Sequence, residues 1–123
     1  MRVLIVDDDK SITRFFTLIL QKKGYSTDTA ETGKEALGKL GSQTYNVALI
    51  DVMLPDANGL DLLKSIPSQT KKIVITGIAS EETQKKAQIE GADAYLLKPV
   101  KPEKLLQTVA NELNLNSSEH TIK

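Results

Sequence analysis

Two apolar runs of this chain end abruptly in acid. Arg2-Val3-Leu4-Ile5-Val6 leads straight into Asp7-Asp8-Asp9, and Val47-Ala48-Leu49-Ile50 into Asp51. Neither run alternates, which is the pattern of a strand covered on both faces, as in a parallel sheet under helices. In open α/β sheets ligands bind outside the carboxyl ends of the strands. Asp51 there would be held on rigid backbone yet reachable by solvent, as suits a nucleophile or a metal ligand. A turn-capping role would also explain Asp51 taken alone. If the two strands are parallel neighbours, however, their ends lie about 4.8 Å apart, and Asp7, Asp8 and Asp51 crowd one pocket. Two carboxylates about 4 Å apart repel by roughly 4 kcal/mol at an effective dielectric near 20. Such a cluster holds a proton or a cation. An all-oxygen set with open positions suits Mg²⁺, which keeps several waters and often bridges to phosphate. Asp9 and Ser11 have a simpler use as caps of the following helix.

The elements that must position these groups follow in order. Ile12, Phe15, Phe16, Ile19 and Leu20 recur at helical spacing, with Lys22, Lys23 and then Gly24 at the end. Residues 25–30 alternate and read as a half-exposed strand. Thr32 to Glu35 fits a capping box, with Ala36, Leu37 and Leu40 as the apolar stripe before Gly41. After the strand to Asp51, residues 55–59 are turn chemistry. A brief helix over 60–66 stops at Pro67. Residues 72–76 form a fourth strand, and Ser80 caps a helix that has Glu81 and Glu82 in its first turn and Gly91 past its end. Residues 94–97 form a fifth strand. Pro102 opens a last helix with the stripe Leu105, Leu106, Val109 and Leu113. From 116 onward the chain is polar, a frayed tail after a domain spanning 1–115.

Five strand–helix repeats imply an α/β fold: a five-stranded parallel sheet, doubly wound as (βα)5 with right-handed crossovers. Thr76 and Lys98 then end the fourth and fifth strands on the same rim as the acids. Three carboxylates, a hydroxyl and an ammonium would converge there as a reaction centre. Singly, Thr76 reads equally well as a turn residue and Lys98 as an ion-pair partner of the acids.

Composition narrows the classes. At 123 residues the chain suits one domain, and its formal net charge of zero gives no electrostatic case for binding nucleic acid or an anionic membrane. Cysteine is absent, which removes disulfides and thiolate chemistry and is consistent with a reducing cytoplasm. No apolar run reaches membrane length. The one histidine, His120, lies in the polar tail, so a histidine-based catalytic site is not expected.

These residues resemble the receiver domain of two-component response regulators, the CheY-like superfamily, over residues 2–113. The resemblance is carried by Leu4-Ile5-Val6-Asp7-Asp8, by Leu49-Ile50-Asp51-Val52-Met53-Leu54-Pro55 with Gly59, by Ile75-Thr76-Gly77 and by Tyr95-Leu96-Leu97-Lys98-Pro99. It implies the flavodoxin-like strand order 2-1-3-4-5. It also implies that Asp51 accepts a phosphoryl group from a phosphohistidine on a sensor histidine kinase or histidine phosphotransfer protein. By the same resemblance Mg²⁺ is held by Asp8, Asp51 and the Met53 backbone carbonyl, with Asp7 acting through water. Lys98 would neutralise one phosphoryl oxygen and Thr76 bond another. Gly77, Met53, Ile78 and Pro99 would line the pocket, with Lys98-Pro99 as the family's cis peptide. Thr76 and Tyr95 would form a switch that reshapes the face of the fourth helix, fifth strand and fifth helix. That face would serve a downstream partner, a fused output domain or a phosphorylation-dependent homodimer. Such a protein modifies itself and is not a turnover enzyme.

The chain departs from the family pattern in three places. The stretch between Gly59 and Lys72 is short, so the third helix should be clipped. Val100 stands where a bulky aromatic is common. Met53 and Ile78, both apolar, stand at positions that by the resemblance flank the path of the hydrolytic water, which would make the phosphoryl group long-lived. Among competing readings, a haloacid-dehalogenase-like phosphatase wants an Asp where Met53 stands. A flavodoxin-like cofactor binder wants a phosphate-binding loop where the first acids stand. An interaction module that is never phosphorylated would not need the full residue set. Met1 and the short tail lean towards a stand-alone protein over a piece of a longer regulator.

Overall fold

The computed structural model describes residues 1–121 and the side chains up to residue 114. In chain order the elements are β1 (Arg2–Val6), α1 (Lys10–Lys22), β2 (Ser26–Ala30), α2 (Gly33–Ser42), β3 (Val47–Asp51), α3 (Gly59–Leu62), β4 (Lys71–Thr76), α4 (Glu81–Ile89), β5 (Ala94–Leu97) and α5 (Pro102–Thr121). One parallel sheet carries the strands in the order β2-β1-β3-β4-β5. The expected topology is therefore the observed one.

The unbroken apolar runs have the expected cause. Successive side chains of a strand point to opposite faces, and here both faces are covered. Leu4, Val6, Ala48, Ile50 and Val74 pack with Ala36, Leu60, Leu63 and Ala87 on the face of α2, α3 and α4. Val3, Ile5, Val47, Leu49, Ile73 and Ile75 pack with Phe16, Leu20, Leu105 and Val109 on the face of α1 and α5. Truncating a fully buried anchor such as Leu105 to Ala would cost about 2–5 kcal/mol.

The helices start where the sequence places their caps. The Asp9 carboxylate accepts from Ser11 N at 2.9 Å and Ile12 N at 3.3 Å. Thr32 Oγ1 accepts from Glu35 N at 3.0 Å, but Glu35 Oε1 reaches back to Glu31 N rather than to Thr32 N. Ser80 Oγ accepts from Thr83 N at 3.2 Å. Gly24 and Gly91, past α1 and α4, both sit at positive φ, the left-handed conformation in which glycine carries no Cβ penalty.

Several expectations need correction. Phe15 and Leu37, assigned to apolar stripes, are exposed; the adjacent Phe16 and Ala36 take the core positions, since the width of each stripe is set by what packs on it. The second helix runs through Gly41 to Ser42. The third is clipped further than expected: one α-turn followed by a 3₁₀ turn over Leu63–Ser65. β2 begins at Ser26 and β4 at Lys71. The backbone of α5 runs unbroken past 115 to Thr121. The side chains of the tail, His120 included, lie outside the described residues.

α4 is held loosely. Its one buried residue is Ala87, whereas α1 buries three. An element with so little apolar anchorage is drawn from the low-stability end of a fold, and α4 leads from the site rim.

Candidate functional site

Register alone brings the acids together. Val6 pairs with Ile50, so Asp7 and Asp51 leave neighbouring strands side by side. One carboxylate oxygen from each of Asp7, Asp8 and Asp51 lies within 4.8 Å of the others. Asp7 and Asp51 are buried and Asp8 is exposed. Asp7 is tethered at its backbone, where its N–H donates to Ala30 O at 3.0 Å, and its Oδ1 accepts from Asp9 N at 2.9 Å.

Lys98 bridges the cluster. The Lys98 Nζ donates to Asp7 Oδ2 at 2.8 Å and stands 3.4 Å from Asp51 Oδ2. Its backbone is fixed by Lys98 N donating to Thr76 O at 2.8 Å, and the Lys98-Pro99 bond is cis. Burial pulls the Lys98 pKa down, but the hydrogen bond to Asp7 and the charges of Asp7 and Asp51 outweigh it, so the net direction is up. The group is an ammonium at neutral pH. Burial pushes the Asp51 carboxyl up from its ordinary value, the Asp7 charge pushes it further, and Lys98 opposes both. The charged form of Asp51 is thus disfavoured where it sits.

The Met53 carbonyl is offered by a hairpin. Gly59 N donates to Val52 O at 2.6 Å and Leu54 N to Ala57 O at 3.2 Å, with Met53 opposite Asn58. In an antiparallel pair those bonds make Met53 and Asn58 the non-hydrogen-bonded pair, whose own N–H and C=O point out of the ladder. Met53 N accordingly lies 3.5 Å from Asp51 Oδ1, and the carbonyl remains available to a ligand. Gly59 permits this fold-back, because a Cβ there would run into the Asp51 carbonyl. Three carboxylates and one carbonyl form a hard, all-oxygen donor set of the kind that fits Mg²⁺.

Thr76 is buried at the end of β4, with Oγ1 accepting from Ile78 N at 3.2 Å. Half-buried Tyr95 donates its hydroxyl to Ile78 O at 2.9 Å, and burial pushes its pKa up. Thr76 and Tyr95 are thus tied to the backbone of one residue, Ile78, the first to its N–H and the second to its C=O. Gly77 is exposed and Met53 is 66% exposed. Pro99 is exposed and lines, with Gln84, Tyr95, Val100, Lys101 and Lys104, a groove of about 500 Å³ between α4, β5 and α5. The sequence reading missed Ile78 as the shared partner of Thr76 and Tyr95, because that role uses its backbone and leaves no side-chain signal. It also missed Asp56, read as generic turn chemistry.

The family model for the response regulator receiver domain matches residues 3–110. Response regulator ArlR from Staphylococcus saprophyticus is 36% identical over 123 residues, covering 98% of this chain and 56% of its own length. ArlR from Staphylococcus aureus is also 36% identical, over 88% of this chain and 50% of its own. The chain therefore spans about half the length of these curated relatives. A CheY-like receiver domain protein from Methanospirillum hungatei superposes with a TM-score of 0.90 at 40% identity, over 96% of this chain and 97% of its own. A response regulator from Burkholderia pseudomallei, solved with a phosphorylated aspartic acid, a calcium ion and citrate, gives 0.83 at 28% identity, over 96% of this chain and 72% of its own. With the rim chemistry, the strand order and these matches in agreement, the chain belongs to the response regulator receiver domain family of two-component signalling.

Proposed function

We propose that this receiver takes a phosphoryl group onto Asp51 from a phosphohistidine of a sensor kinase or phosphotransfer protein. The observation that carries the reading is the cluster itself: a buried Asp51 within 4.8 Å of two further carboxylates and 3.4 Å from an ammonium. In the transfer the N–P bond of the donor breaks and an O–P bond to Asp51 forms, while the freed imidazole takes its proton from solvent. A carboxylate nucleophile needs no side-chain base, and the protein's task is to position and neutralise. Asp8, Asp51 and the Met53 carbonyl would hold Mg²⁺, with Asp7 acting through water; when bound, the ion supplies positive charge against the phosphoryl oxygens. Lys98, already aimed at Asp51, swings from Asp7 to a phosphoryl oxygen. The Burkholderia relative with its phosphorylated aspartic acid supports the same chemistry here.

The switch would work through Ile78. When the Thr76 hydroxyl turns to a phosphoryl oxygen it releases Ile78 N, and the peptide that accepts from Tyr95 moves with it. α4, with one buried residue, yields readily. The groove of Tyr95, Lys101 and Lys104 then changes shape for a downstream partner, a fused output domain or a second copy. No helix among the described residues is long and apolar enough to cross a membrane.

The test is incubation with acetyl phosphate and Mg²⁺, followed by intact-mass measurement on wild type and Asp51→Asn. Wild type should gain one phosphate and the variant none. Equal labelling of both proteins would sink the reading.

A further inference from the structure

We propose that Asp56 is a positioning residue for the cation site: it staples the tip of the hairpin after β3 to the start of α2, and so aims the Met53 carbonyl. This rests on the phosphoacceptor reading of the site given above.

The hairpin over residues 52–59 has two ladder hydrogen bonds of its own, Gly59 N to Val52 O and Leu54 N to Ala57 O. An isolated two-stranded hairpin is marginal in water, and the tip-side bond from Leu54 N to Ala57 O closes Pro55-Asp56 on itself without tying the tip to the rest of the fold. The tip is held from outside. Asp56 Oδ1 accepts from Gly33 N at 2.8 Å and Oδ2 from Lys34 N at 3.0 Å. Those are two of the N–H groups that the first turn of a helix leaves without intrahelical partners, and the helix dipole there favours a negative charge. The same two N–H groups hold the Asp56 carboxyl below its ordinary range, so it is ionised at neutral pH.

α2 does not need this carboxylate as its cap. Thr32 already fills that role through Glu35 N at 3.0 Å. Asp56 comes from 23 residues beyond Gly33 in sequence and is spent on joining two elements. The approach is close: a Cβ at Gly33 would stand 3.2 Å from the Ala57 Cβ. Met53 lies three residues before Asp56, between the Gly59–Val52 bond at the base and the Leu54–Ala57 bond that adjoins the stapled tip. With both ends fixed, its outward carbonyl has one direction. With the tip released, the donor set loses its one backbone member to thermal motion.

The experiment is calorimetric titration of Mg²⁺ into wild type, Asp56→Ala, Asp56→Asn and Thr32→Ala, with thermal unfolding of each in EDTA. Residues supporting a ligand from behind typically cost about tenfold or more in metal affinity when removed, and Asp56→Ala should raise the Mg²⁺ dissociation constant by about that factor. Asp56→Asn keeps one oxygen that can accept one of the two bonds and should fall between. Thr32→Ala weakens the same helix start without touching the hairpin, so its affinity should stay within about twofold of wild type. Unchanged affinity in Asp56→Ala would overturn the inference, as would equal loosening by Thr32→Ala. Wild type that binds no Mg²⁺ would overturn the phosphoacceptor reading, and this inference with it. Wild-type binding beside an unaffected Asp56→Ala would remove this inference alone.

Discussion

Replacing Asp51 by Asn should make the metal-free protein more stable. Asp51 Oδ2 stands 3.4 Å from Lys98 Nζ, an attraction of about 5 kcal/mol at an effective dielectric of 20. Against it stand Asp7 and Asp8, each with an oxygen within 4.8 Å, which repel Asp51 by about 3.5 kcal/mol apiece on the same scale before solvent weakens the exposed Asp8 contribution. Attraction and repulsion nearly cancel. The burial penalty of the charged carboxylate then decides the sign, and Asn escapes it while Lys98 keeps its 2.8 Å bond to Asp7. We expect a gain of about 1–2 kcal/mol, read as a rise in Tm of roughly 4–8 °C for a domain of this length. Far-UV circular dichroism in EDTA measures it directly. Mg²⁺ at ten times its Kd should stabilise wild type by about 1.4 kcal/mol and Asp51→Asn by less, so the gap should close. Acid gives a second handle. A carboxyl whose pKa is raised on folding favours the folded state at low pH, and that advantage is lost as pH climbs through the folded pKa. The stability gap between variant and wild type should therefore narrow as the pH of the EDTA buffer is lowered from 7. An Asp51→Asn protein less stable than wild type in EDTA, or a gap that ignores Mg²⁺, would show that the cluster is not strained and would refute the reasoning.

Three further outcomes are expected. Lys98→Ala leaves Asp7 buried beside Asp51 without its ammonium and should cost about 2 kcal/mol in urea unfolding in EDTA, with partial recovery in Mg²⁺. The double variant Met53→Asn, Ile78→Glu opens the route of the attacking water; phospho-Asp51 followed by mass spectrometry should decay about tenfold faster, a barrier drop of about 1.4 kcal/mol. Tyr95→Phe removes the bond to Ile78 O and should cost about 1 kcal/mol. It should leave labelling by acetyl phosphate intact while shrinking the NMR shifts that beryllofluoride induces in α4.

How far the chain could be read depended on where the information lay. The central strands β1, β3 and β4 were legible because they are buried on both faces, which shows as an unbroken apolar run, whereas the half-exposed edge strand β2 was legible by its alternation. Their acidic and polar ends were legible because parallel strands put every carboxyl end on one rim, so Asp7, Asp8, Asp51, Thr76 and Lys98 were placed near each other before any distance was known. Caps at Asp9, Thr32 and Ser80 were local, set by hydroxyl or carboxylate reach over two or three residues. Phe15 and Leu37 were misplaced because an apolar side chain at helical spacing does not reveal how wide its partner surface is.

Tertiary structure alone decided the rest. Ile78 joins Thr76 to Tyr95 through its backbone N–H and C=O, atoms that every residue but proline possesses, so no side-chain identity could announce it. Asp56 looks like any aspartate after a proline in a turn, and its target lies 23 residues earlier on another element. The sequence by itself determined which groups meet at the rim, since periodicity and burial are properties of short segments. The packing of loops against helices determined how those groups are aimed, since a hydrogen bond across the fold depends on coordinates that no local pattern encodes.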